Sequence, residues 1–422
     1  MPISTIQIEN FKSLKQVKLN LKRINILIGP NNSGKSSVLQ ALAILKQSRN
    51  SNQFVTNGQL MGLGEFQELV FRNNPDLEIT IGIGGRISWN KPFLPFTNHL
   101  SNVDFFFGYS QSNRMLEHTF GGVAFGNTGL NWDKDYRSGT QQDQVSAVIN
   151  GITINAFNLR QIGNITLSAS VPQLQTDAEQ TNLSLIKIAQ LLTQVFEKIM
   201  IVPALRGQDT ASVDQVQSLP QDFIDAGGHQ MQEMKTIGAL AMRRDLESKV
   251  SGWFERITGS TIRANLAPNK RVTATIERKG IITNVINEGF GSNKLVYLLI
   301  PLAAAPAGSL IGIEEPEVHL HPSAQIELAN VLVEEALSGD KELIITSHSD
   351  FMLSYILTLI PSKKLSKNDL AIFSFDNKDG TTEVKELVID DHGQVQGGLP
   401  SFFSANLDLM KKYSNAVFRH ES

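Results

Sequence analysis

Two groups of residues, far apart in the chain, have the types and spacing needed for chemistry. The first is Gly29-Pro30-Asn31-Asn32-Ser33-Gly34-Lys35-Ser36, a full match to G-x-x-x-x-G-K-[ST]. Its glycines let backbone N–H groups close around phosphate oxygens, Lys35 can reach β- and γ-phosphates, and the Ser36 hydroxyl can take one position on Mg²⁺. Ser37 then opens a helix whose N-terminal dipole favours the same anion. The second group is Glu314-Glu315, ending the run that begins at Leu310, and His348, ending the run from Glu342. Of two adjacent carboxylates at a strand end, one can hold Mg²⁺ through water while the next faces an attacking water. Glu314 is read as the metal side and Glu315 as the base. His348 can donate to a terminal phosphate or position that water.

Other positions carry weaker signals. Asn287-Glu288-Gly289-Phe290-Gly291-Ser292-Asn293-Lys294 reads as a glycine-bearing loop ahead of an apolar helix, a second place where N–H groups and a helix dipole meet an anion. The chain already has a phosphate loop, so this one is expected to serve a nucleotide held by another subunit. His319 and His321 lack a third ligand and make a poor metal pair. Gln67 is a candidate for an Mg²⁺ or water contact by chain order alone, and Arg206 is either a phosphate or dimer contact or an ordinary loop arginine.

These groups need elements to position them. Ile24, Ile26, Leu27 and Ile28 suit a buried parallel strand feeding the phosphate loop, and Val38, Leu39, Leu42 and Leu45 place a helix after it. Alternation at Ile3, Ile6 and Ile8, and at Val17, Leu19 and Leu21, predicts two more strands in one sheet with the Ile24 strand. A strand is expected at Leu77 to Ile83, then a meandering antiparallel region from about Ile87 to Val171. Further expectations are a helix from Thr181 to Met200, a strand from Met200, and a mobile loop over Gln208 to Gln221. A single helix from about Met231 to Ile257, a hairpin across Pro268-Asn269 and a helix between the two C-terminal strands complete this part. The tail reads as strands at Leu370 to Phe375 and Glu383 to Ile389, then a short helix.

The 422 residues, 41% hydrophobic and 19% charged, are those of an ordinary globular chain with enough core for two or three domains. A formal charge of -3 makes no case for DNA. With no cysteine, disulfides, thiolate nucleophiles and cysteine-bound metals are excluded. The N-terminus lacks the pattern of a signal peptide, and a cytoplasmic location is expected. Leu295 to Ile313 is uncharged, but Pro301, Pro306, Gly308 and Ser309 divide it into helix, turn and strand, so no membrane span is predicted.

Taken together, IENFKSL with the phosphate loop, LGEFQELVF, MIVPALRG, NEGFGSNKL, IEEPEVHLHP, ITSHSDFML and GGLPSFF resemble the ABC-type ATPases of the SMC, RecF and OLD group, which include bacterial AAA family ATPases. The resemblance implies an α/β P-loop NTPase with a mixed central sheet. The head would be formed by residues 1–90 and 281–422, with a β-rich and helical insertion at 91–280. It implies a homodimer, or a higher oligomer built on it, with two ATP and Mg²⁺ sandwiched between heads. Gly29 to Ser36 of one subunit would face Gly289, Gly291, Ser292 and Asn293 of the other, with Ser292 and Asn293 both open as the γ-phosphate contact.

By the same resemblance Gln67 falls in the Q-loop, Glu314 and Glu315 are Walker B and base, His348 is the switch histidine, and Lys12 approaches a phosphate. The segment after His348 is too short for the nuclease domain of OLD proteins. The functional expectation is an ATPase that gates a separately encoded effector, a nuclease or toxin, in anti-phage defence. A RecF-like repair ATPase acting on DNA and an ATP-dependent scaffold remain open alternatives.

Overall fold

The computed structural model describes residues 2–48, 54–58, 60–86, 102–112, 115–125, 128–134, 143–149, 152–157, 194–204, 213–214, 229–266 and 271–398. The strands at the start of the chain are β1 (Ile3–Phe11), β2 (Leu14–Asn20) and β3 (Ile24–Ile28). β1 and β2 bury alternate residues, as strands with one covered face do, whereas every residue of β3 is buried. That difference sends them to different sheets, against the expectation of one. β3 enters a six-stranded sheet, while β1 pairs with both β2 and β4 (Ile79–Arg86) in an eight-stranded antiparallel one.

That antiparallel sheet continues as the expected meander through β5 (Asn102–Ser112), β6 (Met115–Phe125), β7 (Thr128–Lys134), β8 (Asp143–Ile149) and β9 (Ile152–Phe157), in the order β2-β1-β4-β5-β6-β7-β8-β9. The central sheet runs β10 (Ile199–Val202), β15 (Leu310–Glu314), β16 (Glu342–Thr346), β3, β17 (Leu370–Lys378) and β18 (Thr381–Leu387). All its pairs are parallel except β17 with β18. The small third sheet contains β11 (Val213–Asp214), β12 (Thr261–Leu266), β13 (Arg271–Arg278) and β14 (Ile281–Asn284).

Helix α1 (Lys35–Ser48) fills the space between the two large sheets. Val38, Leu39, Ala41, Leu42, Ala43, Ile44 and Leu45 are all buried, so the helix is covered on every side rather than on one face. Gly312 of β15 lets it lie close, because a Cβ there would stand 2.7 Å from Leu39 Cδ2 and 2.9 Å from Ile201 Cδ1. A second core covers the other side of the central sheet: Ile24, Ile26 and Ile28 point into it, while Leu27 points toward α1. The short helix α2 spans Phe66–Leu69. The helices of the second core are α3 (His229–Met242), α4 (Arg244–Thr258), α5 (Phe290–Ala304), α6 (Pro322–Ser338) and α7 (Asp350–Thr358).

Several expectations change here. The helix predicted over Met231 to Ile257 is two helices, broken where Arg243 takes extended backbone angles. Ile199 belongs to β10, so the preceding helix stops at residue 198 and the strand begins one residue before Met200. Within the supposed loop at 208–221, Val213 and Asp214 form a strand against β13. Arg206, the helix over residues 181–193 and the final short helix lie outside the described residues.

Candidate functional site

Ligands of parallel α/β sheets bind at the carboxyl ends of the strands. Here three neighbouring strands end together: β3 runs into Gly29–Ser36, β16 into Ser347 and His348, and β15 into Glu314–Glu317. Lys35 is 5% exposed. Its ammonium donates to the carbonyls of Gly29 (2.9 Å) and Pro30 (2.7 Å), the latter two residues of its own loop. Burial pulls its pKa down, and the charges of Glu315 and Glu317 oppose the shift. Ser36 and Ser37 sit in the first turn of α1, while Pro30, Asn31 and Asn32 are exposed and Ser33 is buried.

The loop glycines also lie against the neighbouring hairpin. Both have positive φ, Gly29 at 145° and Gly34 at 97°, where a side chain is strained. A Cβ on Gly29 would collide with the Phe375 carbonyl oxygen of β17, and one on Gly34 would come within 2.5 Å of Thr382 Oγ1 on β18. The missing side chains thus make room for the neighbouring hairpin. That hairpin also bonds to the loop: Thr382 Oγ1 donates to Ser33 O (2.9 Å) and Asn377 Nδ2 to Asn32 O (3.1 Å). Neither residue carried a signal in the sequence.

Glu314 and Glu315 diverge. Glu314 ends β15 and its Oε2 accepts the Ala204 N–H at 3.2 Å, at the end of β10. Glu315 lies beyond the strand with φ 42°, a left-handed conformation that costs a non-glycine residue on the order of 1–3 kcal/mol. Its N–H donates to both Thr346 O (3.0 Å) and Thr346 Oγ1 (3.2 Å), which holds the turn. The alternation expected of two strand residues is therefore made by a turn. Glu315 Oε1 stands 3.6 Å from His348 Nε2. Burial, and then the Lys35 charge, push the His348 pKa below its ordinary value, against the pull of Glu315, which favours a neutral imidazole at neutral pH.

One functional candidate was missed. Glu317 is buried and accepts the Ser347 hydroxyl (2.9 Å) and the His348 N–H (2.6 Å) on Oε1. The signal was present as a third acid directly after Pro316.

Lys12 lies near the site, on a left-handed residue of the turn between β1 and β2. Its ammonium donates to Gln40 Oε1 of α1 at 2.6 Å, and Glu314 offsets the downward effect of burial on its pKa. Its N–H donates to Leu69 O, so the segment of Gln67 is docked beside it. Gln67 itself is exposed on α2, and among the described residues no hydrogen bond joins it to the phosphate loop. The stretch expected as a loop at 287–294 is shorter: α5 begins at Phe290, with Gly289 as its N-cap. Ser292 is half-buried whereas Asn293 is 9% exposed, which leaves Ser292 the more accessible of the two. A Cβ on Gly291 would sit 2.5 Å from His319 O, so this first turn leans on the segment following Glu315. His321 caps α6, accepting the Ser323 N–H on Nδ1 at 3.4 Å.

Among the described residues no three His, Cys, Asp or Glu side chains are grouped to hold a metal. Mg²⁺ in phosphate sites needs only one or two protein ligands beside phosphate and water oxygens. Ser36 and Glu314 fit that requirement, and the buried ammonium of Lys35 at a helix N-terminus fits a polyphosphate.

Residues 24–354 match the family described as "AAA domain, putative AbiEii toxin, Type IV TA system". The chain belongs to this family. In sequence it is 32% identical over 112 residues to the uncharacterized protein MJECL10 of Methanocaldococcus jannaschii, a match covering 24% of this chain and 49% of that protein. It is 36% identical over 88 residues to the DNA replication and repair protein RecF of Vibrio campbellii, covering 20% of this chain and 24% of RecF. The matches therefore span about half or less of these relatives. An SMC head crystallised with the C-winged helix domain of ScpA has the same fold, at a TM-score of 0.52 and 14% identity, over 92% of this chain and 98% of that one. The AAA-family chain thus has an α/β P-loop fold of the kind seen in the SMC head, and part of its sequence is similar to RecF. Among the described residues no helix is long and apolar enough to cross a membrane.

Proposed function

We propose that this AAA-family chain binds ATP with Mg²⁺ and hydrolyses it. The observation that carries the reading is the convergence of Lys35, Glu315 and His348 at the ends of β3, β15 and β16, with Glu315 and His348 3.6 Å apart. Lys35 leaves the carbonyls of Gly29 and Pro30 to meet the β- and γ-phosphates, and the N-terminus of α1 supports the same charge. Glu315 takes the proton of the attacking water as the bond from the γ-phosphorus to its bridging oxygen breaks, and the neutral imidazole of His348 holds the water or the terminal phosphate. Ser36 and, through water, Glu314 would hold Mg²⁺, which would supply positive charge to the transferring phosphate.

Residues 1–90 and 281–422 would form the head, joined by β10 from within the 91–280 insertion. Two heads would close as a homodimer on two ATP, with Gly289 to Asn293 of one facing the phosphate loop of the other. The family's description names a toxin of a Type IV toxin–antitoxin system, and we infer a cytoplasmic ATPase that gates a separately encoded effector. The similarity to RecF supports a second reading, direct action on DNA. Steady-state hydrolysis by the full chain, with and without double-stranded DNA and with Glu315→Gln as the blank, tests both. Hydrolysis above the blank and indifferent to DNA fits the gated ATPase, and stimulation by DNA fits the RecF-like reading. Equal rates for wild type and blank while ATP still binds would leave an ATP-dependent scaffold.

A further inference from the structure

Glu317 lies two residues beyond the proposed base, in the turn between β15 and α6, and is 7% exposed. Taking a carboxylate out of water costs several kcal/mol unless donors meet it. Both donors that meet this one belong to the segment carrying the switch histidine. Ser347 Oγ donates to Oε1 at 2.9 Å and the His348 N–H donates to the same oxygen at 2.6 Å. The other oxygen, Oε2, is buried with no hydrogen-bond partner among the described residues.

The segment has further contacts on its other side, through main chain and serine hydroxyls. The Ser347 N–H donates to Leu27 O of β3 (3.1 Å), and the Ser347 hydroxyl accepts the Ser349 N–H (3.0 Å). Ser349 in turn caps α7, receiving the Met352 N–H at 3.0 Å. On the side of the strand that carries Glu315, the bonds of the Glu315 N–H to Thr346 O and Oγ1 stop two residues short of His348, and none of the others reaches His348 itself from that strand. Glu317 does so, because β15 leads directly into its turn and its side chain reaches back under the histidine backbone. The imidazole above that backbone is the group that stands 3.6 Å from Glu315 Oε1.

We propose that Glu317 is a positioning residue: its Oε1 clamps the Ser347-His348 backbone and thereby sets the His348 imidazole against Glu315. This rests on the ATPase reading for its catalytic consequence, but the clamp is a feature of the geometry and can be measured separately. Two properties of Glu317 come apart in its variants. Gln keeps an acceptor oxygen for both donors and removes an ionisable group whose pKa burial pushes up. Ala loses both acceptor and ionisable group.

The test uses the full chain and four variants: Glu317→Gln, Glu317→Ala, His348→Ala and the double Ala variant. Glu317→Ala is expected to lower kcat for ATP about 10–100-fold while equilibrium ATP binding stays within about threefold. Glu317→Gln recovers most of that loss, and the double variant is no slower than His348→Ala because both changes break one unit. Selective ¹⁵N-histidine labelling adds a readout independent of hydrolysis. The His348 amide proton, assigned through His348→Ala, lies downfield in wild type and Glu317→Gln and moves upfield in Glu317→Ala. A Glu317→Gln variant as slow as Glu317→Ala, additive losses in the double variant, or an unmoved amide signal would each overturn the clamp. If wild type hydrolyses no faster than Glu315→Gln, the ATPase reading falls, and the amide signal alone decides the clamp.

Discussion

The two halves of the site are held in contrasting ways. The phosphate loop is fixed through its main chain: Gly29 abuts the Phe375 carbonyl, while Ser33 O and Asn32 O receive Thr382 and Asn377. Its own side chains at 30–32 point to the surface. The carboxylate half is fixed through side chains, with Glu317 under His348, Thr346 under Glu315, and Glu315 itself in a left-handed turn. A loop held by its backbone tolerates most side chains but no new Cβ, whereas a side-chain framework fails one group at a time. Binding and hydrolysis should therefore break separately.

The largest expected effect is on the backbone-held half. Gly29→Ala puts a Cβ into the Phe375 carbonyl at φ 145°, and is expected to cost about 3 kcal/mol or more and abolish ATP binding, read by thermal unfolding and equilibrium binding. Unchanged binding in that variant would remove the contrast. Glu315→Gln attacks the other half: hydrolysis is expected to fall about 10²–10⁴-fold with ATP affinity within about threefold. Equal losses in rate and affinity would show that the halves are not separable.

Much of this architecture was legible. The phosphate loop, β15, β16 and His348 could be read because fixed residue types follow apolar runs of strand length. The separation of β3 from β1 and β2 was latent in its continuous apolar pattern. The break at Arg243 was not, because neither proline nor glycine marks it. Glu317 escaped because its burial depends on a turn that folds it back under the next strand. Asn377 and Thr382 escaped because they meet the loop across sequence separations of 345 and 349 residues, where no local pattern can announce contact.

Two smaller tests sharpen the contrast. Thr382→Val leaves Ser33 O and Ser13 Oγ without this donor or partner, and is expected to cost about 1–3 kcal/mol of stability and weaken ATP binding severalfold with kcat unchanged. A drop in kcat alone would assign the hairpin to the wrong half.

Glu342 is a half-buried carboxyl at the opposite end of β16 from His348, accepting the Ile3 N–H at 3.1 Å, and desolvation pushes its pKa up to about 7. Between the ordinary 4.5 and about 7 the folded chain keeps a proton that the unfolded chain has released, so this group's contribution to stability falls as pH rises through that window. Glu342→Gln keeps an acceptor for Ile3, and should stabilise the fold by about 1–2 kcal/mol at pH 8 and by almost nothing at pH 4. Denaturant unfolding at both pH values checks the sign, and a gain at pH 4 would contradict it.

The bond from Thr382 to Ser33 also has a consequence in time. A ribosome makes residues 29–36 long before their supporting hairpin, which does not exist until residue 382 has been added. The nascent chain therefore carries the nucleotide motif through the whole stretch up to residue 382 without the brace that shapes it. Acquisition of a finished nucleotide site is a late event, timed by translation of the C-terminal hairpin rather than of the motif itself.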